Sequence, residues 1–149
     1  MFKKPMNVLG KKIAKRKISK MKSKFGDRFK ILAGVDTLAL ESLLMGADGW
    51  VAGLVCAFPK ETVAIYELQR AGKIKDAIKI YRWFLPLLEL DTNSKLVQNI
   101  KLAEVATGIG TENVREPRLP LIGKERNHVI NIIEKSLKCR PKLPDYKKL

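Results

Sequence analysis

The sequence predicts an α/β fold in which one parallel βαβ unit is followed by a run of helices. Three observations predict it. Two short apolar runs, Phe29, Ile31, Leu32 and Ala33 up to Gly34, then Trp50, Val51, Ala52, Leu54 and Val55 up to Pro59, are the strands. Between them Leu38, Leu40, Leu43, Leu44 and Met45 recur at helical spacing, and Gly46 stands where a glycine commonly closes a helix. Beyond Pro59 the apolar residues keep a helical period as far as Leu137. Parallel strands of this kind are expected to be buried on both faces, with a right-handed crossover. Each ends in a polar or glycine-containing loop at its C-terminal end, where α/β folds bind ligands.

Composition bounds the function. A chain of 149 residues with 46% hydrophobic content suffices for one domain with a core. It contains no stretch of about 18 apolar residues, so no membrane span is expected. The charged N-terminus lacks the apolar region of a signal peptide. Cys56 and Cys139 have no metal or redox spacing, and two thiols suit a reducing compartment, so a cytoplasmic protein without metal or cofactor is expected. The lone His128 on a helix reads as a surface or packing residue. Charge is uneven: residues 1–30 hold 12 Lys or Arg and one acid, a net of +11, whereas residues 31–149 hold 18 and 14, a net of +4.

In order along the chain, residues 1–28 are strongly basic, with a thin apolar stripe of Ile13, Ile18 and Met21 and a helix expected from about Lys11 to Lys24, ended by Gly26. Two readings stand side by side. One is a patch for nucleic acid or an anionic membrane; the other is a solvated helix face or disordered arm. Phe2 and Phe25, with Phe29 just beyond, are the only aromatics here, too few for an interleaved ladder, so nucleic-acid binding would be non-specific. After the βαβ unit, Pro59 and Glu61 mark a helix start, with Val63, Ala64, Tyr66, Leu68 and Ala71 inward and Gly72 as the stop. A second helix spans Ile74 to Leu88, with Pro86 loosening its last turn. Asp91 or Thr92 is expected to cap a third, which Gly108 and Gly110 break. Residues 112–120 read as a loop. The last helix runs from Gly123 to Leu137, with Val129, Ile130, Ile133 and Leu137 inward, and the tail RPKLPDYKKL reads as frayed.

Two strands and five or six helices are a small inventory for an α/β domain, because two parallel strands keep unpaired edges. The chain reads as the end of something larger. The blocks GVD at 34–36, GADGWVAG at 46–53, the Pro59 helix and the run LDTNSKLVQNIKLAEVATGIGTENVREPRLPL resemble the dihydrodipicolinate synthase / N-acetylneuraminate lyase family, over about Arg16 to Pro141. The resemblance implies strands 7 and 8 of a (β/α)8 TIM barrel followed by the family's C-terminal helices. It implies a division into a basic helix or arm at 1–28, a partial barrel at 29–72, a helical extension at 73–141 and a tail at 142–149. By family the activity is carbon–carbon lysis or aldol condensation of pyruvate or a related 2-oxo acid through a lysine Schiff base, in oligomers held partly by the C-terminal helices.

The resemblance also implies what is missing. The family's Schiff-base lysine ends strand 6 and its catalytic tyrosine ends strand 5, and this chain starts after both. A truncated family protein, inactive alone, is therefore expected. The alternative is a non-catalytic module pairing with itself or with a full-length barrel. Lys12, in Gly10-Lys11-Lys12, matches the family's lysine only if about three residues were lost. Such a lysine needs a depressed pKa and a proton shuttle. Neighbouring cations supply the first, but no tyrosine is expected at a strand end. Four binding positions carry over: Gly34 and Val51 line the pyruvate site, and Asp36 and Gly53 face the rest of the substrate. Elementary structure offers other roles for them: turning glycines, a core valine and a capping aspartate.

Overall fold

The structure, a computed structural model, describes the backbone of residues 7–148 and the side chains of residues 16–146 and Lys148. Helix α1 (Asn7–Phe25) leads into strand β1 (Leu32–Ala33), a 3-10 turn and helix α2 (Ala39–Leu44), then strand β2 (Gly49–Trp50). The two strands pair in parallel, with Leu32 opposite Gly49 and Ala33 opposite Trp50. The N–H of Asp48 donates to Ile31 O at 2.7 Å and that of Val51 to Ala33 O at 2.8 Å, so the ladder runs one residue past each end of β2.

The strands are shorter than the apolar runs that predict them, and Leu54–Cys56 winds into a 3-10 turn. The cause is local. The Asp36 carboxylate takes the N–H groups of Gly53 and Leu54, which a longer strand would spend on its neighbour. Burial on both faces is not found either: Leu32 is 59% exposed and Val51 63%. Helix α2 is also short. Gly46, at φ +98°, closes it, and Leu44 and Met45 face outward while Leu40 and Leu43 are buried.

Four longer helices follow: α3 (Pro59–Arg70), α4 (Ile74–Leu88), α5 (Leu96–Ala106) and α6 (Gly123–Lys138). Helix α3 packs on α4, and α6 packs on both α4 and α5. Phe58, Trp83 and Phe84 form the aromatic centre, with Phe58 meeting Phe84 edge to face at 5.4 Å. The Trp83 indole donates to Ser136 O at 2.9 Å, which fixes α6 against α4. One apolar cluster runs from Ala39 to Ile133.

Three expectations change. The inner face of α3 is turned by one residue, so Thr62, Ile65 and Leu68 are buried and Val63 is exposed. Helix α5 begins at Leu96, where Asn93, not Asp91 or Thr92, accepts the Lys95 N–H at 2.8 Å. The tail is not frayed, because Leu143 and Tyr146 pack on the core.

The basic segment is tied to the βαβ unit. On α1, Ile18 is buried and Lys22 reaches Asp48, with Nζ to Oδ2 at 3.0 Å. Asp48 also accepts the Ile31 N–H at 2.8 Å. That backbone bond, aided by Lys22, draws the Asp48 carboxyl down to about 2.

Candidate functional site at the strand ends

All four carried-over positions lie just past the C-terminal ends of β1 and β2. Gly34 and Asp36 follow the first strand; Val51 and Gly53 follow the second. Asp36 joins the two ends. It is fully buried, and its carboxylate accepts the Trp50 indole N–H at 2.9 Å, the Leu54 N–H at 2.9 Å and the Gly53 N–H at 3.1 Å. A buried carboxylate needs such donors, since desolvation without them is costly. Asp36 therefore does not cap the following helix; it bridges the strands.

The other elementary readings change as well. Val51 does not fill a core but is exposed. Gly34 has no left-handed backbone, and a Cβ built on it meets nothing within 4 Å, so neither a turn nor crowding inside the chain requires glycine there. The strand end at Gly34 is bare. Gly53 is crowded instead: a Cβ there would stand 2.6 Å from Asp91 Oδ1, so any side chain would displace that carboxyl.

Two residues reach this site that the sequence does not point to. Asp91, in the 3-10 turn Glu89–Thr92 after α4, lies against Gly53, and its carboxyl is hydrogen-bonded to that of Asp36. Burial first, then the Asp36 charge, pushes the Asp91 carboxyl up to about 6, so it holds its proton into mildly acidic solution and donates to Asp36. Tyr81, in the middle of α4, directs its hydroxyl to Asp36 O at 3.1 Å and to Glu41 Oε2 at 3.4 Å. Burial, reinforced by Glu41, raises the phenol above its ordinary value. A tyrosine thus does stand behind a strand end, although its hydroxyl is engaged with protein oxygens. The chain separations, 17 residues from Asp36 to Gly53 and 45 to Tyr81, place these contacts beyond local pattern.

The Lys12 side chain lies outside the described residues; its backbone belongs to α1. His128 is exposed, and Cys56 and Cys139 are exposed free thiols. Among the described residues no group of three or more His, Cys, Asp and Glu side chains is placed to hold a metal, and no helix is long and apolar enough to cross a membrane.

Residues 2–136 match the Dihydrodipicolinate synthetase family. A 4-hydroxy-tetrahydrodipicolinate synthase of Pelodictyon phaeoclathratiforme is 29% identical over 109 residues, covering 73% of this chain and 37% of that protein. Another, from Endomicrobium trichonymphae, is 31% identical over 144 residues, covering 93% of this chain and 47% of its own. Among solved structures, the dihydrodipicolinate synthase of Aquifex aeolicus superposes with a TM-score of 0.73 at 21% identity, over 81% of this chain and 41% of that one. The chain belongs to the Dihydrodipicolinate synthetase family, and its fold is the C-terminal part of a (β/α)8 barrel with a helical extension. It spans between 37% and 47% of the length of these two curated relatives. The family match starts at residue 2, earlier than the blocks from Arg16 onward, and takes in Gly10-Lys11-Lys12.

Proposed function

We propose that these 149 residues carry one side of a site for pyruvate or a related 2-oxo acid, and that alone they bind without turnover. The supporting observation is the bare strand end at Gly34, held beside Val51 and Gly53 by the buried Asp36 bridge. An open glycine leaves room for a small carboxylate, and Asp36 serves as a positioning residue that shapes the loop carrying Gly53. In this reading residues 29–72 are the partial barrel, 73–141 the helical extension, 1–28 a basic helix and 142–149 the tail. The family's reaction is a carbon–carbon lyase or aldolase step through a lysine Schiff base. Covalent capture needs a buried amine and a proton shuttle within reach. The hydroxyl of Tyr81, behind the C-terminal strand ends, is committed to Asp36 O and Glu41. With Cys56 and Cys139 as free thiols, the protein is assigned to the cytoplasm.

Borohydride reduction in the presence of pyruvate, read by intact-mass and peptide mass spectrometry, tests the covalent part. The expected result is an unmodified chain, while the backbone amide resonances of Gly34 and Gly53 shift on adding pyruvate. A stoichiometric pyruvyl adduct on Lys12 would make this chain a Schiff-base enzyme. Unmoved Gly34 and Gly53 resonances would remove the binding site.

A second reading, assembly with another copy or with a full-length barrel, is favoured by one specific observation. A groove of about 400 Å³ runs along β2 and α3, lined by Leu32, Trp50, Val51, Val55, Val63 and Tyr66. Three of these, Leu32, Val51 and Val63, are exposed.

A further inference from the structure

The outer face of α1 is a separate feature from the strand-end site. Lys17, Lys20 and Lys24 recur at i, i+3 and i+7 and are all exposed, each roughly 5–6 Å from the next at Cβ. Helix α1 has no acidic residue, and residues 16–30 hold seven Lys or Arg against Asp27, a net of +6. At the end of this face the chain turns back, so that Phe25 and Phe29 meet edge to face at 5.4 Å. Phe25 is 38% exposed and Phe29 43%. The Lys24 ammonium lies over the Phe25 ring and the Arg28 guanidinium over the Phe29 ring, each 5.3 Å from the centroid. Three residues lie between the two rings in sequence, and folding makes them one platform with a cationic rim.

We infer that the outer face of α1 and the Phe25–Phe29 pair form a docking surface for single-stranded nucleic acid, without sequence selectivity. Lys17, Lys20 and Lys24 supply a row of phosphate contacts. Lys24 and Arg28, on long exposed side chains, move from ring to phosphate and leave aromatic faces on which unstacked bases stack. A duplex keeps its bases stacked and offers the rings nothing, so the aromatic pair favours single strands. Charge complementarity alone would also admit an anionic bilayer. A helix lying in a bilayer needs a broad apolar face turned to lipid. On α1 the inward positions Ile18 and Lys22 are already committed, the first buried and the second bound to Asp48. This inference stands independently of the 2-oxo acid site.

The test uses the full chain and fluorescein-labelled 20-mers of oligouridylate, single-stranded or paired with oligoadenylate, with anisotropy read between 50 and 200 mM NaCl. The single strand should bind, more tightly than the duplex, and weaken steeply with salt. Phe25→Leu/Phe29→Leu keeps the apolar bulk but removes the π faces. It should weaken binding roughly tenfold or more and leave the salt slope unchanged. Lys17→Gln/Lys20→Gln should reduce the slope by about 1.4. Circular dichroism checks that each variant is folded. The inference is overturned if the leucine variant binds like the parent, if the duplex binds as tightly as the single strand, or if the protein binds phosphatidylserine vesicles and no oligonucleotide.

Discussion

Asp36 and Asp91 show how one charge organises the strand ends. Asp36 gathers three N–H donors, and burial beside it raises the Asp91 carboxyl to about 6, so that Asp91 is protonated only below that pH. Asp91 rises from 3.8 to about 6 on folding, so between those values the folded chain binds a proton that the unfolded chain has released. Stability should therefore fall as pH climbs through this window and level off above it. Asp91→Asn keeps a donor toward Asp36 and removes the titration. Relative to the parent it should be about 1–2 kcal/mol more stable at pH 7.5 and nearly equal at pH 4, read from urea midpoints. A variant that is destabilised equally at both values would show that Asp91 is not held neutral by Asp36. The blocks in the sequence pointed to Gly34, Asp36, Val51 and Gly53 of this candidate site, and the fold brings them to the two strand ends. They did not point to Asp91 and Tyr81, because only tertiary packing brings α4 and the turn after it to the strand ends. Asp91 looked like a helix cap because Asp before a helical pattern commonly is one.

At the scale of elements, the helices and the parallel pairing of the two strands were legible, and the strands' short length was not. Pro59, Gly72 and the apolar period bounded α3 and α4 because those signals act within one turn. The apolar runs around Leu32 and Val51 read as full strands because pattern does not count hydrogen-bond partners. With one neighbour each, and with Asp36 taking the Gly53 and Leu54 N–H groups, they pair over two residues. The helical layer is held by a long-range ion pair as well as by its apolar core. Glu61 in the first turn of α3 is 1% exposed, and Arg140, just past α6, bonds it through Nε at 2.7 Å. The same guanidinium lies 5.6 Å from the Phe58 centroid. Removing Arg140 strands a buried carboxylate. Because Arg140 is itself 38% exposed, the cost is discounted to about 2 kcal/mol. Arg140→Ala should thus lower the melting temperature by roughly 4–8 °C, and Glu61→Gln in that background should recover much of it. Additive losses in the double variant would show that the two side chains do not act as a pair.

On the scale of the whole molecule, the fold is a partial barrel whose helical layer is well packed and whose sheet is not. Phe58, Phe84, Leu87 and Leu88 are fully buried, while Leu32, Val35, Val51 and Val63 stay exposed around two short strands with open edges. In a closed barrel every strand has two neighbours. Here the β2 edge and the groove over α3 offer apolar surface and unpaired backbone together, which favours association. Sequence reasoning anticipates this imbalance from the count of strands, since two parallel strands have no arrangement that closes a sheet. Sedimentation velocity of the purified chain at micromolar concentration, paired with a thermal melt, is the most direct test. The account predicts species larger than a monomer, with Leu32→Lys/Val51→Lys shifting them toward monomer. A compact monomer with a sharp cooperative melt would contradict it, showing that the helices close over the two strands unaided.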